Sequence, residues 1–97
     1  MESFEEKHRR DYEQNFKIQA RRNKLLGLWA AKKLGFDAAE ADAYAKEVIK
    51  SDFDEPGSID VLRKVHSDLK GNGVDISEHL VRKEMDRLLE QAREELR

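Results

Sequence analysis

The residues with the most chemical potential lie between positions 52 and 60, in the run Asp52-Phe53-Asp54-Glu55-Pro56-Gly57-Ser58-Ile59-Asp60. Asp52, Asp54, Gly57 and Asp60 fall at the first, third, sixth and ninth positions of a calcium loop flanked by helices. The pattern then fails. Pro56 stands at the fifth position, and Arg63 stands at the twelfth, where calcium requires a bidentate Glu. A guanidinium at that point repels the cation, so the segment reads as an acidic, solvated turn between helices. His8, His66 and His79 share no spacing that would converge on zinc. His66 falls on an apolar stripe and reads as a satisfied core or rim histidine. There is no cysteine, which removes disulfide and thiol chemistry. Ser3, Ser58 and Ser77 stand where helix caps are expected, and Ser67 lies inside a helix, so none reads as an activated nucleophile. Gly71-Asn72-Gly73 is too short for a phosphate-cradling loop and lacks its Lys. The expectation is a protein that is not an enzyme, with no metal and no cofactor.

The cations are more pointed. Lys17, Arg21, Arg22 and Lys24, followed by Lys32 and Lys33, form a basic stretch. Residues 1–24 hold seven Lys/Arg against five Asp/Glu, a net of +2; residues 25–97 hold twelve against sixteen, a net of −4. Such polarity suits an anionic partner surface or a nucleotide phosphate, because Arg forks pair with both. A solvated helix face is the plainer alternative. Trp29 could stack on a purine, although its neighbours mark it as core. A purine-nucleotide (ATP or ADP) sensor built on Arg21, Arg22, Lys24, Trp29, Lys32 and Lys33 therefore stays open as one reading. The chain as a whole carries −2 with a pI near 5.9, so nucleic acid is not an expected partner.

The elements that must position these groups are helices. The 97 residues are 41% charged and 38% hydrophobic, rich in Ala, Glu, Lys, Leu and Arg, with five Gly and one Pro, a mixture that favours helix over strand. One domain over 1–97 with one modest core is expected. Ser3 and Glu6 have capping-box spacing and open a first segment, charged as far as about Asn23 and carrying only a thin stripe of Phe4, Tyr12 and Phe16. So light a stripe buries little, and this segment is expected to fray when the protein is alone. Leu25 to Leu34 is apolar on almost every side, as in a central helix, with Gly35 placed to end it. The two segments either form one helix or break between Ala20 and Asn23. Asp37 and Glu40 cap the next helix, which carries Ala41, Tyr44, Ala45, Val48 and Ile49. Pro56-Gly57 breaks it, and Ser58 can cap a third helix with Ile59, Leu62, Val65, His66 and Leu69 on its stripe. Gly71-Asn72-Gly73 stops that helix. The last begins near Ile76-Ser77 and carries Leu80, Val81, Met85, Leu88, Leu89, Ala92 and Leu96. No apolar run approaches membrane-spanning length, and the N-terminus lacks the features of a signal peptide. The fold class is all-α: a compact four-helix bundle with a charged, partly mobile N-terminal helix.

Ala20-Arg21-Arg22-Asn23-Lys24-Leu25-Leu26-Gly27-Leu28-Trp29-Ala30-Ala31, followed by Leu34-Gly35, resembles the signature of the ζ-subunit family of α-proteobacterial F1FO ATP synthases. Ala43-Tyr44-Ala45-Lys46-Glu47-Val48, Asp52-Phe53, Glu55-Pro56-Gly57 and Gly73-Val74-Asp75-Ile76-Ser77 continue the resemblance in the family's order over most of the chain. The resemblance implies a four-helix bundle that binds the F1 head and inhibits ATP hydrolysis. It implies that an N-terminal arm, residues 1–20, inserts as a helix at a catalytic interface of the α and β subunits beside γ, while residues 21–97 dock outside. On the arm, Phe4, Tyr12 and Phe16 would be apolar anchors, and Glu5, Glu6, Lys7, Arg9, Arg10 and Lys17 would set register, with His8 beside them. It implies a cytoplasmic protein held at the inner membrane through ATP synthase, without direct membrane insertion. The free chain is expected to be a monomer. Aligned on the Arg-Arg-Asn-Lys block, the chain starts later than the family pattern, lacks part of its acidic leader, and has His8 where an aromatic is expected. The arm is therefore expected to be short and weak, with docking the firmer expectation.

Overall fold

A computed structural model describes residues 4–52 and 58–97, with side chains from Glu13 onward. Four helices follow one another: α1 (Phe4–Leu34), α2 (Ala38–Ser51), α3 (Ile59–Gly71) and α4 (Glu78–Glu95). There is no strand among the described residues. The two segments of the N-terminal half are one helix of 31 residues. No proline interrupts it, and between Ala20 and Asn23, where a break was open, Arg21, Arg22 and Asn23 all find partners on other elements or on each other. At about 1.5 Å per residue α1 is roughly 46 Å long. It sets the long axis of a molecule measuring 55 × 25 × 22 Å. The radius of gyration, 14.8 Å, exceeds the roughly 12.5 Å of a compact chain of this length for the same reason.

Local chemistry fixes the helix ends. Asp37 accepts from the Glu40 amide at 2.8 Å while the Glu40 carboxylate accepts from the Asp37 amide at 3.2 Å, the reciprocal box read from the sequence. Ser77 caps α4 through the Leu80 amide at 3.1 Å. Ser58 departs from expectation. It precedes α3 with φ 59°, and its side chain makes no cap hydrogen bond. A side-chain cap needs extended backbone at that position, which Ser58 does not have. Gly35 and Gly73, at φ 78° and 83°, end α1 and α3. In both, the next residue's amide returns to the helix: Phe36 to the Ala31 carbonyl at 3.0 Å and Val74 to that of Leu69 at 2.9 Å. These are paired Schellman closures, and they fold Phe36 and Val74 back onto the core. Gly35→Ala and Gly73→Ala are each expected to lower stability by about 1 kcal/mol, since neither Cβ meets another atom and only the left-handed backbone resists. Chemical denaturation of each variant checks this.

The helices surround the core in chain order; the backbones of α1 and α3 also approach across it, while no Cα atoms of α2 and α4 come within 8 Å. Leu26, Ala30 and Ala31 of α1 meet Tyr44 and Val48 of α2, Val61, Leu62, Val65 and Leu69 of α3, and Val81, Met85 and Leu88 of α4. Fully buried aliphatic side chains contribute about 1.5–3 kcal/mol each, so this cluster carries the fold. Its period differs from the sequence reading in two places. Val61 is fully buried although it was off the expected stripe, and Leu80, placed on the α4 stripe, is 46% exposed. Leu80 lies about 100° round the helix from Val81, which with Met85, Leu88 and Ala92 forms the buried face. Between α2 and α3 the Tyr44 hydroxyl donates to Asp68 at 2.8 Å, and Lys64 reaches the same carboxylate at 3.1 Å. Burial first, then the Asp68 bond, push the Tyr44 phenol far above its ordinary range. Tyr44 is thus a fixed neutral donor. His66 is half-buried, and its Nε2 donates to the Ile76 carbonyl at 3.0 Å, a rim histidine tying α3 to the turn before α4.

Candidate functional site: the exposed length of the first helix

Helix α1 serves two purposes along its length. From Arg22 to Leu34 it is part of the core. Between Gln14 and Arg21 it contacts the end of α4. Gln14 donates through Nε2 to the Leu96 carbonyl at 3.1 Å, and Arg21 Nε donates to Glu95 Oε2 at 2.6 Å. The Arg21 bond, then the Gln91 amide, hold the Glu95 carboxyl below the usual range. The C-terminal turn of α4 therefore lies against α1 between Gln14 and Arg21. Helix α1 starts ten residues before Gln14. Of the arm residues, Phe16 is 51% exposed and Lys17 is exposed. The side chains of Phe4, Glu5, Glu6, Lys7, His8, Arg9, Arg10 and Tyr12 lie outside the described residues, as does Ser3.

The six residues of the nucleotide reading occupy different environments. Arg22 is 5% exposed. Its Nε donates to Asn23 Oδ1 at 2.8 Å, and its Nη2 stands 3.8 Å from Asp52 Oδ2. Asn23, 1% exposed, donates to the same carboxylate at 2.9 Å. Burial lowers the Arg22 pKa and the nearby Asp52 opposes that shift. Arg22 thus faces inward and joins α1 to the end of α2. Arg21 is committed to Glu95. Trp29 is half-buried against the core, with Lys33 Nζ 5.0 Å above its ring. Lys24 and Lys32 project to solvent. The roles of Asn23, Asp52 and Glu95 were not visible in the sequence, because each depends on a partner 29 or 74 residues away. Between Asp52 and Ser58 the calcium-like run lies outside the described residues. Among the described residues no group of three or more His, Asp or Glu is placed to hold a metal ion, and no helix is long and apolar enough to cross a membrane.

An all-helical body with a long helix continuing past the end of its neighbour is the form of a protein that acts through contact surfaces. The sequence model of the ATPase inhibitor subunit zeta family matches residues 1–95, and the chain belongs to that family. It is therefore a regulatory protein, not an enzyme, and its target is ATP hydrolysis by ATP synthase through binding to F1. Solved structures agree on the fold. One determined by solution NMR is 49% identical, covers 84% of this chain and 92% of its own, and superposes with a TM-score of 0.75. No curated protein matches.

Proposed function

We propose that the chain inhibits ATP hydrolysis by inserting the N-terminal part of α1 as a helix at a catalytic interface between the α and β subunits of F1, beside γ. The body formed by residues 21–97 docks on the outside of the head. The observation that carries this reading is the continuity of α1. The same helix that holds Leu26, Ala30 and Ala31 in the core begins at Phe4, with no break between. A wedge must resist the opening and closing of the interface. A helix rooted in a packed core transmits that load to the docked body, whereas a flexible tether would let the wedge slip. Phe4, Tyr12 and Phe16 are the apolar anchors of the arm, and Glu5, Glu6, Lys7, His8, Arg9, Arg10 and Lys17 set its register. Part of the arm's ordering cost is met in advance by the turns it shares with the body.

ATP hydrolysis by F1 from the cognate organism, titrated with the full chain and with a chain starting at Ala20, tests this. Full-length protein is expected to inhibit with saturation near one per head. The shortened chain is expected to lose at least about tenfold in potency, as removal of the main anchors does at other interfaces. Equal inhibition by both would remove the arm from the mechanism.

A further inference from the structure

We infer that α1 carries a second contact surface, which overlaps the arm only at Lys17: a basic stripe formed by Lys17, Arg21, Lys24 and Lys32 around Leu28, which docks on an acidic patch of the F1 head. This rests on the F1 binding proposed above and says which face of the body meets it. The five residues recur at steps of four, three, four and four. At 3.6 residues per turn they fall within an arc of about 80° and span roughly 22 Å. Lys17, Lys24 and Lys32 are exposed, and Leu28, in their midst, is 38% exposed.

What sets this face apart is that three uncompensated lysines share one line along a single helix. On the other helices several cations have carboxylates close by, while the exposed Lys50, Arg63, Lys70 and Lys83, which have none, are divided among α2, α3 and α4. Lys46 pairs with Asp42 on α2, Lys64 with Asp68 and Glu47 across α3 and α2, and Arg93 and Arg97 with Glu90 and Glu94 on α4. Such pairing is the usual state of a solvated helix face. On the stripe only Arg21 has such a partner, Glu95 at its edge. Lys17, Lys24 and Lys32 make no ion pair or hydrogen bond among the described residues. In a chain whose net charge is −2, three unpaired lysines gathered along one line form a local positive field. A field of that kind steers association with an acidic surface and fixes orientation on it. Leu28 supplies the apolar contact that such a charge pattern lacks. Because α1 is one continuous helix, docking the stripe also aims the arm.

The test measures binding of the full chain to isolated F1 across a range of salt concentrations. One variant carries Lys24→Glu and Lys32→Glu, both outside the arm. A control carries the same charge change elsewhere, as Lys50→Glu and Lys83→Glu, both exposed positions. The stripe variant is expected to bind at least about tenfold more weakly with a flattened salt dependence, and the control within about twofold of the parent. All four substitutions are on the surface, and circular dichroism should show unchanged helix content. If the stripe variant binds F1 like the parent, or both variants weaken alike, the stripe is a solvated face and the inference is overturned. If the stripe variant keeps its affinity for F1 but loses attachment to phosphatidylglycerol vesicles, the acidic partner is lipid and the inference again fails. Absence of F1 binding by the parent chain would instead overturn the proposed function itself.

Discussion

Replacing Gly27 by Val is expected to destabilise the protein by about 3 kcal/mol or more, the upper range for overpacking a core. Gly27 lies inside α1, where Ala would ordinarily be better by about 1 kcal/mol. Here a Cβ would meet the Ala45 Cα at 2.7 Å and the Ala45 Cβ at 3.2 Å. Carbon atoms prefer about 3.5–4.0 Å, so α1 and α2 would have to separate by roughly an ångström. The atom in the way is backbone and cannot rotate aside. Separation would loosen the contacts of Leu26 and Ala30 with Tyr44 and Val48, all of them in the core. Even Gly27→Ala should therefore lose about 1–2 kcal/mol, opposite in sign to its helix propensity. Gly71, also helical but with open space at its Cβ, provides the internal contrast: Gly71→Ala should gain about 0.5–1 kcal/mol. Denaturant midpoints of the three variants decide the matter, and a stabilised Gly27→Ala would show that the two helices do not approach so closely.

The helices were readable because their signals are local. The Asp37–Glu40 box, Ser77, Gly35 and Gly73 each act within a few residues, and the apolar stripes of α2, α3 and α4 repeat at the helical period. What was missed depends on distant contacts. Whether α1 breaks near Arg21 could not be read, since its continuity rests on partners at Asp52 and Glu95. The basic stretch was seen as one feature, but the fold divides it. Arg22 turns inward, Arg21 is paired, and Lys24 and Lys32 remain outside. The signal that separates them was present in the three- and four-residue spacing of Lys17, Arg21, Lys24, Leu28 and Lys32, which leaves Arg22 and Asn23 on another side of the helix. The family signature block Arg21-Arg22-Asn23-Lys24 thus mixes two surface cations with two buried structural groups. Composition alone treats all of its cations as equivalent.

That division leads to the second large effect. Asp52→Ala is expected to cost about 3 kcal/mol or more, because it removes the carboxylate 3.8 Å from the buried Arg22 and leaves that charge only the weaker attraction of Asp86 among the described residues. Arg22 Nη2 has no hydrogen-bond partner and relies on Asp52 through charge at 3.8 Å, while Asn23 loses its acceptor altogether. An opposing contribution exists. Asp52 is the C-cap of α2, where a negative charge faces the unfavourable end of the helix dipole. Removing it relieves about 0.3–1 kcal/mol, too little to offset an orphaned guanidinium. Asp52→Asn keeps an acceptor for Asn23 and loses only the charge, so it should fall between the parent and Asp52→Ala. Arg22→Met retains the aliphatic packing and eliminates the buried charge, and should be milder than Asp52→Ala. A chain of this size is stable by only about 5–10 kcal/mol, so the order of these three variants is measurable by guanidinium unfolding. If Asp52→Ala unfolds within about 0.5 kcal/mol of the parent, the dipole relief and solvent access outweigh the network, and Arg22 is not held by the end of α2.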